Sequence, residues 1–287
     1  MIIIARRYGQ LGNRLTLASH LIAAAQEYGV GFAHPTFAEY ANYFQGTAHD
    51  LWCRFPQRAK FRRSVPIWQR RLAESATRRM EKTLWCIGLR SFPCQLFRLK
   101  DGTHFDLSGQ EFQDLVSHGR PLLINGWDYR SNRLLHKHGD AIRAHFQPIE
   151  RHQQQVDLLI AEIRRNADLV VGIHMRHGDF KTYNEGRYYY PVDAYRAAML
   201  RVIERFPDRQ ISFLICTDGT YVPDDFHGLR AHPGTGHLIE DLYALAKTDF
   251  IIASPGSTFS AWASFYGKTP LVKMDTVDLS EVEQRWG

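Results

Sequence analysis

The stretch VGIHMRHGDF, Val171–Phe180, gathers side chains well equipped for chemistry in this 287-residue chain. An apolar run ends there in Arg176-His177-Gly178. A guanidinium in that place can grip a phosphate through two parallel hydrogen bonds, with Asp179 set to orient it or to cap the following segment. A structural Arg–Asp pair is the plainer reading. The imidazole offers a different chemistry, because His177 could take up a phosphoryl group as a nucleophile. Three further clusters bear on the choice. In SPGSTFSAWA, Pro255-Gly256 shape a turn, and Ser257, Thr258 and Ser260 fall where a helix begins. Hydroxyls and unpaired N–H groups at a helix start form an anion site, although plain N-capping by Ser257 or Thr258 uses the same residues. In GQLGN, Gly9 and Gly12 would allow close approach to the backbone. In CTDG, Asp218 serves equally as a polar ligand or a turn residue.

These clusters need elements that hold them at one edge. Ile2–Arg6 reads as a short buried strand ahead of GQLGN, and a helical pattern runs from Leu15 to about Tyr28, stopped by Gly29. VGFAHP and PLLING (Pro121–Gly126) are the next strands. A helix is expected from about Glu150 to Asn166, and from there the alternation is regular. ADLVVGIHMR, QISFLICTD, FIIAS and TPLVKM read as strands; PVDAYRAAMLRVIERFP, with Pro191 at its start, LIEDLYALAKTD and GSTFSAWASFYG read as helices. Such alternation predicts a parallel sheet covered on both faces. Ligands of such sheets sit beyond the carboxyl ends of the strands, where all four clusters fall. The chain divides near residue 150.

The length suits two domains, and 44% hydrophobic with 23% charged residues is the composition of a soluble globular protein. No run approaches the roughly 18 apolar residues of a membrane span, and MIIIARRYGQLGN lacks the regions of a signal peptide. Cys53, Cys86, Cys94 and Cys216 are widely spread without metal spacing, and read as reduced thiols. The expected location is therefore the cytoplasm. The net charge of +6 hides an asymmetry: Arg54–Lys100 carries 13 Lys and Arg against Glu74 and Glu81, a charge of +11, so the remainder is −5. Much of that segment reads as a helix, Trp68 to Trp85, with apolar residues interleaved among arginines. A solvated basic face, a peripheral patch for anionic lipid and a nucleic-acid surface compete here, and the last lacks any accompanying fold signature.

Taken in order, GQLGNRL, IHMRHGD and IEDLYALAKTDFIIASPGSTFSAWA resemble the fucosyltransferase superfamily of GT-B fold, which includes the α1,2-, α1,6- and protein O-fucosyltransferases. The motifs span nearly the whole chain, with the stretch between Gly29 and Asp168 unmatched. The resemblance implies an α/β protein with two Rossmann-like domains whose parallel sheets face across a cleft. Residues 1–150 would be the acceptor-side domain with a basic helical insertion, and 151–287 the nucleotide-sugar donor domain. By position, Arg176 binds the donor diphosphate and stabilises it as it leaves, His174 lies near the guanine, and Asp241 reads the guanine edge. Ser257, Thr258, Phe259 and Ser260 form the phosphate-side loop, with Asp179 and Asp218 among the donor-binding residues. Gly9, Gly12 and Asn13 form the glycine loop. Glu185, nine residues after Arg176, lies close to where α1,6-type enzymes carry a glutamate thought to act as general base.

The implied reaction is inverting, metal-independent transfer of a sugar, fucose from GDP-fucose in the first instance, to a glycan hydroxyl. Arg176 and a helix N-terminus would replace a metal in stabilising the leaving group, and Glu185 would deprotonate the acceptor. The GDP-sugar is a co-substrate, and neither cofactor nor metal is expected. The acceptor would be a glycan or lipid-linked glycan, with peripheral membrane contact through residues 54–100 at the inner face; no nucleic-acid partner is expected. Arg176-His177 stands where relatives often have two arginines, Asn13-Arg14 replaces Asn-Gln, and Pro255-Gly256 look inserted, so another GDP-linked hexose stays open. Two rivals remain. Arg-His-Gly is the hallmark of histidine phosphatases, but there it ends the first strand, whereas here about 170 residues precede it. None of His227, His232 or His237 sits in a matching context for the second catalytic histidine. An inactive nucleotide-sugar-binding module is the other, and intact Arg176, Asp179, Asp241 and Ser257 argue against decay.

Overall fold

The computed structural model describes residues 1–57 and 63–286, so part of the basic segment, residues 58–62, lies outside the described residues. The chain forms two compact units, Met1–Ile149 and Glu150–Gly287. Among the described residues no helix is long and apolar enough to cross a membrane.

In the first unit, the apolar triplet Ile2–Ile4 (β1) leads to Leu11–Glu27 (α1), a helix buried along its leucine- and alanine-rich length. The helix begins four residues before Leu15, so Gly12 and Asn13 belong to its first turn. Of the expected glycine loop only Gly9, at φ +54°, keeps a conformation that requires glycine. A Cβ there would lie 2.0 Å from the side-chain amide nitrogen of Asn13, so the turn passes too close to the helix for any residue but glycine. There follow Phe32–Ala33 (β2), Arg54–Phe55 (β3), Ile67–Cys86 (α2), Gln95–Arg98 (β4), Phe105–Asp106 (β5), Gln110–Ser117 (α3), Leu122–Asn125 (β6), Tyr129–Arg130 (β7), Asn132–Lys137 (α4) and Gly139–His145 (α5). The main sheet has the order β3-β2-β1-β6-β4, parallel except for the edge strand β3.

Helix α2 is built inside out. Its buried residues are Arg70, Ala73, Glu74, Thr77 and Glu81, whereas Trp68 and Leu72 are 59% and 61% exposed. The arrangement holds because each inward charge finds partners, as burial of a charge demands. Arg70 donates to the carbonyls of Thr47, Ala48 and Asp50 at 2.7–2.9 Å, and Glu74 accepts two hydrogen bonds from Arg7 at 2.9 Å.

The second unit follows the regular alternation. Glu150–Arg164 (α6), Leu169–Met175 (β8), Val192–Arg205 (α7), Ile211–Thr217 (β9), Ala231–Pro233 (β10), Leu238–Leu245 (α8), Phe250–Ala253 (β11), Thr258–Gly267 (α9), Leu271–Lys273 (β12) and Ser280–Trp286 (α10) succeed one another. All five strands are parallel, in the order β10-β9-β8-β11-β12. Strand β8 is buried at every residue, and Val171, Ile173, Phe213, Phe250 and Ile252 pack with Tyr195 and Met199 of α7 in one core. The terminal helix α10 packs into this same core through Val282. The chain winds from β8 outward to β10 and then crosses to β11 on the other side. The order reverses between β8 and β11, the place where open α/β sheets hold ligands.

Candidate functional site

His174, Arg176, Asp179, Asp218 and Ser257–Ser260, among the residues singled out from the sequence, follow or end the strands at that reversal. His174 on β8 pairs in register with Ala253 on β11 and with Cys216 on β9. The chain therefore leaves all three strands side by side, Arg176 after β8, Asp218 after β9 and Ser254–Ser260 after β11. Arg176 donates to both oxygens of Asp179, from Nε at 2.9 Å and from Nη2 at 3.0 Å. Asp218 Oδ2 lies 3.5 Å from the same guanidinium, and the Phe180 ring lies 5.1 Å below it. The guanidinium holds the Asp179 carboxyl below its ordinary range. The bidentate pair uses two of the five guanidinium donors. Asp218 is more than a turn residue. Its Oδ1 accepts from the backbone N–H groups of His177 and Gly178 at 2.7 and 2.8 Å, tying the ends of β8 and β9 together.

The Ser257–Ser260 loop differs from the expectation of hydroxyls aimed at a ligand. Ser257 caps α9 by accepting from the Ser260 backbone N–H. The Ser260 hydroxyl is fully buried and lies 2.6 Å from His174 Nδ1, with Ser257 Oγ 3.4 Å from the same nitrogen. The reason is the small size of serine: both side chains fit beneath the turn, where a buried imidazole needs hydrogen-bond partners. What the loop turns outward is Gly256, at φ +75°, with half-buried Thr258. His174 is 4% exposed, stacked on Phe259 at 4.8 Å. Burial, aided by the Arg176 charge, pushes its pKa down to about 4. It is thus a neutral support for the Ser257–Ser260 turn.

Asp241, in the first turn of α8, is 7% exposed. Its Oδ1 accepts from the Thr235 backbone N–H at 2.8 Å and the Thr235 hydroxyl at 3.3 Å. A Cβ on Gly234 would lie 2.4 Å from that oxygen, so the loop after β10 needs glycine to pass so close. Burial pushes the Asp241 carboxyl up to about 6. Glu185 is exposed in the turn Tyr183–Gly186, between β8 and α7. Asn184 and Glu185 both adopt left-handed backbone, at φ 49° and 59°, an arrangement that costs about 1–3 kcal/mol per residue and concentrates at functional sites.

His177 is held at one ring nitrogen. Its Nε2 lies 3.0 Å from the Tyr190 carbonyl oxygen, an acceptor only, so that nitrogen carries the proton. Several residues of the site escaped the sequence reading. Tyr195 is fully buried, its hydroxyl 2.8 Å from Ser254 Oγ, with burial raising its pKa to about 12. Phe180, Tyr183 and Tyr188 form a three-ring cluster with centroids 5.9–6.2 Å apart. The triple tyrosine before Pro191 was the available signal. His152, His237 and Glu240 bring their ligand atoms within 4.8 Å of one another and could hold a divalent cation. His152 Nδ1 lies 2.8 Å from Glu240 Oε1, and the two imidazoles stack at 4.5 Å.

No protein-family model matches the chain, and no curated protein matches it by sequence. Solved structures do match. A point mutant of FUT1 from Arabidopsis thaliana in complex with GDP is similar over 98% of this chain and 72% of that one, with TM-score 0.62 and 11% identity. POFUT1 in complex with GDP-fucose matches at TM-score 0.54 and 12% identity, over 94% of this chain and 95% of its own. NodZ α-1,6-fucosyltransferase soaked with GDP-fucose matches at TM-score 0.54 and 16% identity, over 95% and 94%. The mixed α/β architecture with parallel sheets is the GT-B fold of these fucosyltransferases.

Proposed function

We infer that the protein is a glycosyltransferase that moves a sugar, fucose in the first instance, from a guanine nucleoside diphosphate to a glycan hydroxyl, with inversion and without a metal. The observation that carries this reading is the cluster at the reversal between β8 and β11. An oriented arginine, two carboxylates and a capped helix start leave the sheet together there. Arg176 would take the diphosphate and stabilise its charge as the glycosidic bond breaks, and preorganised charge is usually the largest catalytic contribution. Glu185 would remove the acceptor proton. The second unit would bind the donor and the first the acceptor. Contact with a membrane would run through residues 54–100, where Trp68, Leu72 and Phe92 stand exposed among arginines. The phosphatase reading is not favoured, because the fold is that of the fucosyltransferases.

Calorimetric titration with GDP, GDP-fucose and ADP, with and without EDTA, tests the donor. The expected result is chelator-insensitive binding of the guanine nucleotides and none of ADP. Binding of GDP that vanishes with EDTA would refute metal independence, and equal binding of ADP would refute the guanine assignment. Tight binding without turnover on any donor would instead mark an inactive module.

Asp241 gives donor binding a pH dependence. A guanine edge presents N–H donors, which an ionised carboxylate accepts and a protonated one does not. GDP affinity should rise about tenfold from about pH 5 to about pH 7, with its midpoint near 6, and Asp241→Asn should bind weakly and without that rise. Stability runs the other way. The folded value lies above the unfolded one, so this group's contribution, on the order of 2–3 kcal/mol, is present below about pH 4 and lost as pH rises through about 6. A flat GDP affinity across that range would remove Asp241 from the guanine edge.

A further inference from the structure

The first unit has its own crevice beyond the carboxyl ends of its strands, and its chemistry is one-sided. Arg6 follows β1, Asn125 ends β6 and Arg98 ends β4, three adjacent strands of the sheet. Helix α2 adds Arg78, Arg79 and Lys82, and together these residues line an open cavity of about 550 Å³. The size is that of a small-ligand site. Here too the strand order reverses, between β1 and β6.

Five cations line this cavity, with Glu81 the single acid. Glu81 is already engaged. It accepts from Arg98 Nε at 2.6 Å and from Asn125 Nδ2 at 3.2 Å, and Arg98 lies flat over the Trp85 ring at 4.0 Å. That acid therefore orients one arginine and leaves the other cations uncompensated. Among the described residues Arg6, Arg78, Arg79 and Lys82 form no ion pair, and the nearby acids Glu39 and Glu74 are taken by Arg7 and Arg14. Four like charges converging on one cavity repel one another in the empty state, and a multiply charged anion relieves that repulsion. Guanidinium groups suit phosphate oxygens by geometry. A polynucleotide is not indicated, because no nucleic-acid fold signature accompanies the charge.

We propose that this pocket binds a phosphate-bearing group, a diphosphate in particular, carried by the acceptor. The acceptor half of that statement rests on the glycosyltransferase reading; the anion site does not. The diphosphate would anchor the acceptor at the first unit while its sugar hydroxyl attacks the donor. Affinity would fall steeply with salt, because the contacts are charge–charge and partly exposed.

The test is calorimetry with inorganic diphosphate in the presence of saturating GDP, which occupies the donor site. The expected result is diphosphate binding that persists with GDP present. It should weaken about tenfold or more in the double variant Arg78→Gln/Arg79→Gln and stay unchanged in Arg176→Ala. Both α2 residues are exposed, and a thermal melt matching wild type shows that the double variant folds. Absence of binding under saturating GDP overturns the proposal, as does equal binding by wild type and double variant. Binding to vesicles of phosphatidylcholine and phosphatidylserine that needs Arg78 and Arg79, without diphosphate binding, assigns these cations to a membrane surface and also overturns it. Should GDP fail to bind, the donor reading falls while the diphosphate titration, with its α2 variant, still decides the pocket.

Discussion

Replacing Arg176 with alanine should lower turnover by about 10²–10³-fold, the usual effect of removing one preorganised donor from a developing negative charge. Affinity for the intact donor should fall less, by about tenfold, because the charge on its sugar-linked diphosphate is smaller than at bond cleavage. The structure supplies the reason for expecting a split. Asp179 fixes the guanidinium plane through two bonds at 2.9 and 3.0 Å, so its orientation is set before the donor arrives. Arg176→Lys keeps the charge and loses the fork, and should fall between wild type and alanine. Steady-state kinetics with GDP-fucose, paired with binding titrations of the same intact donor, separates the two effects. A variant with full turnover and only weaker binding would reduce Arg176 to a docking residue. Because alanine also leaves Asp179 and Asp218 facing each other without their cation, a melting curve must accompany the kinetics.

Glu185→Gln should cost about 10²–10⁴ in turnover, the range for a lost general base, with GDP affinity unchanged. Glu185 sits exposed in a turn where three successive residues, Asn184 to Gly186, are left-handed. Backbone strain of this kind persists where the surroundings over-determine it. Glu185→Gly should therefore relieve strain, gaining up to about 1 kcal/mol of stability while losing activity. Unchanged kinetics in Glu185→Gln would mean that the acceptor loses its proton without an enzymic base. That outcome would leave the assignment of Arg176 untouched.

Much of the second unit was legible in the sequence, because β8, β9 and β11 are apolar runs buried almost throughout and helices of ordinary pattern precede or follow them; β10, Ala-His-Pro and only partly buried, carries no such run and was missed. Strand β8 and helix α9 fall close to where ADLVVGIHMR and GSTFSAWASFYG place them. The orientation of side chains was less legible. Ser257 and Ser260 have the composition of an anion loop, yet they turn inward because His174 beneath them needs partners. The first unit resisted reading for a different reason. Helix α2 buries Arg70, Glu74 and Glu81 and exposes Trp68 and Leu72, the reverse of the pattern on which periodicity depends. Its strands β2 and β3 are two residues long and carry no detectable alternation. The start of α1 was misplaced because Gly12 in a first turn looks like loop, although helix starts tolerate it.

One measurement addresses the central claim without knowing the acceptor. Incubating the protein with GDP-fucose and EDTA, with water as the acceptor, and following the anomeric signals by proton NMR reads cleavage and stereochemistry together. The reading developed above predicts slow release of GDP with fucose appearing first in the anomeric configuration opposite to that of the donor, and a loss of that release in Arg176→Ala. Cleavage with retention of configuration, or GDP release that stops with chelator and returns with added metal, would contradict it.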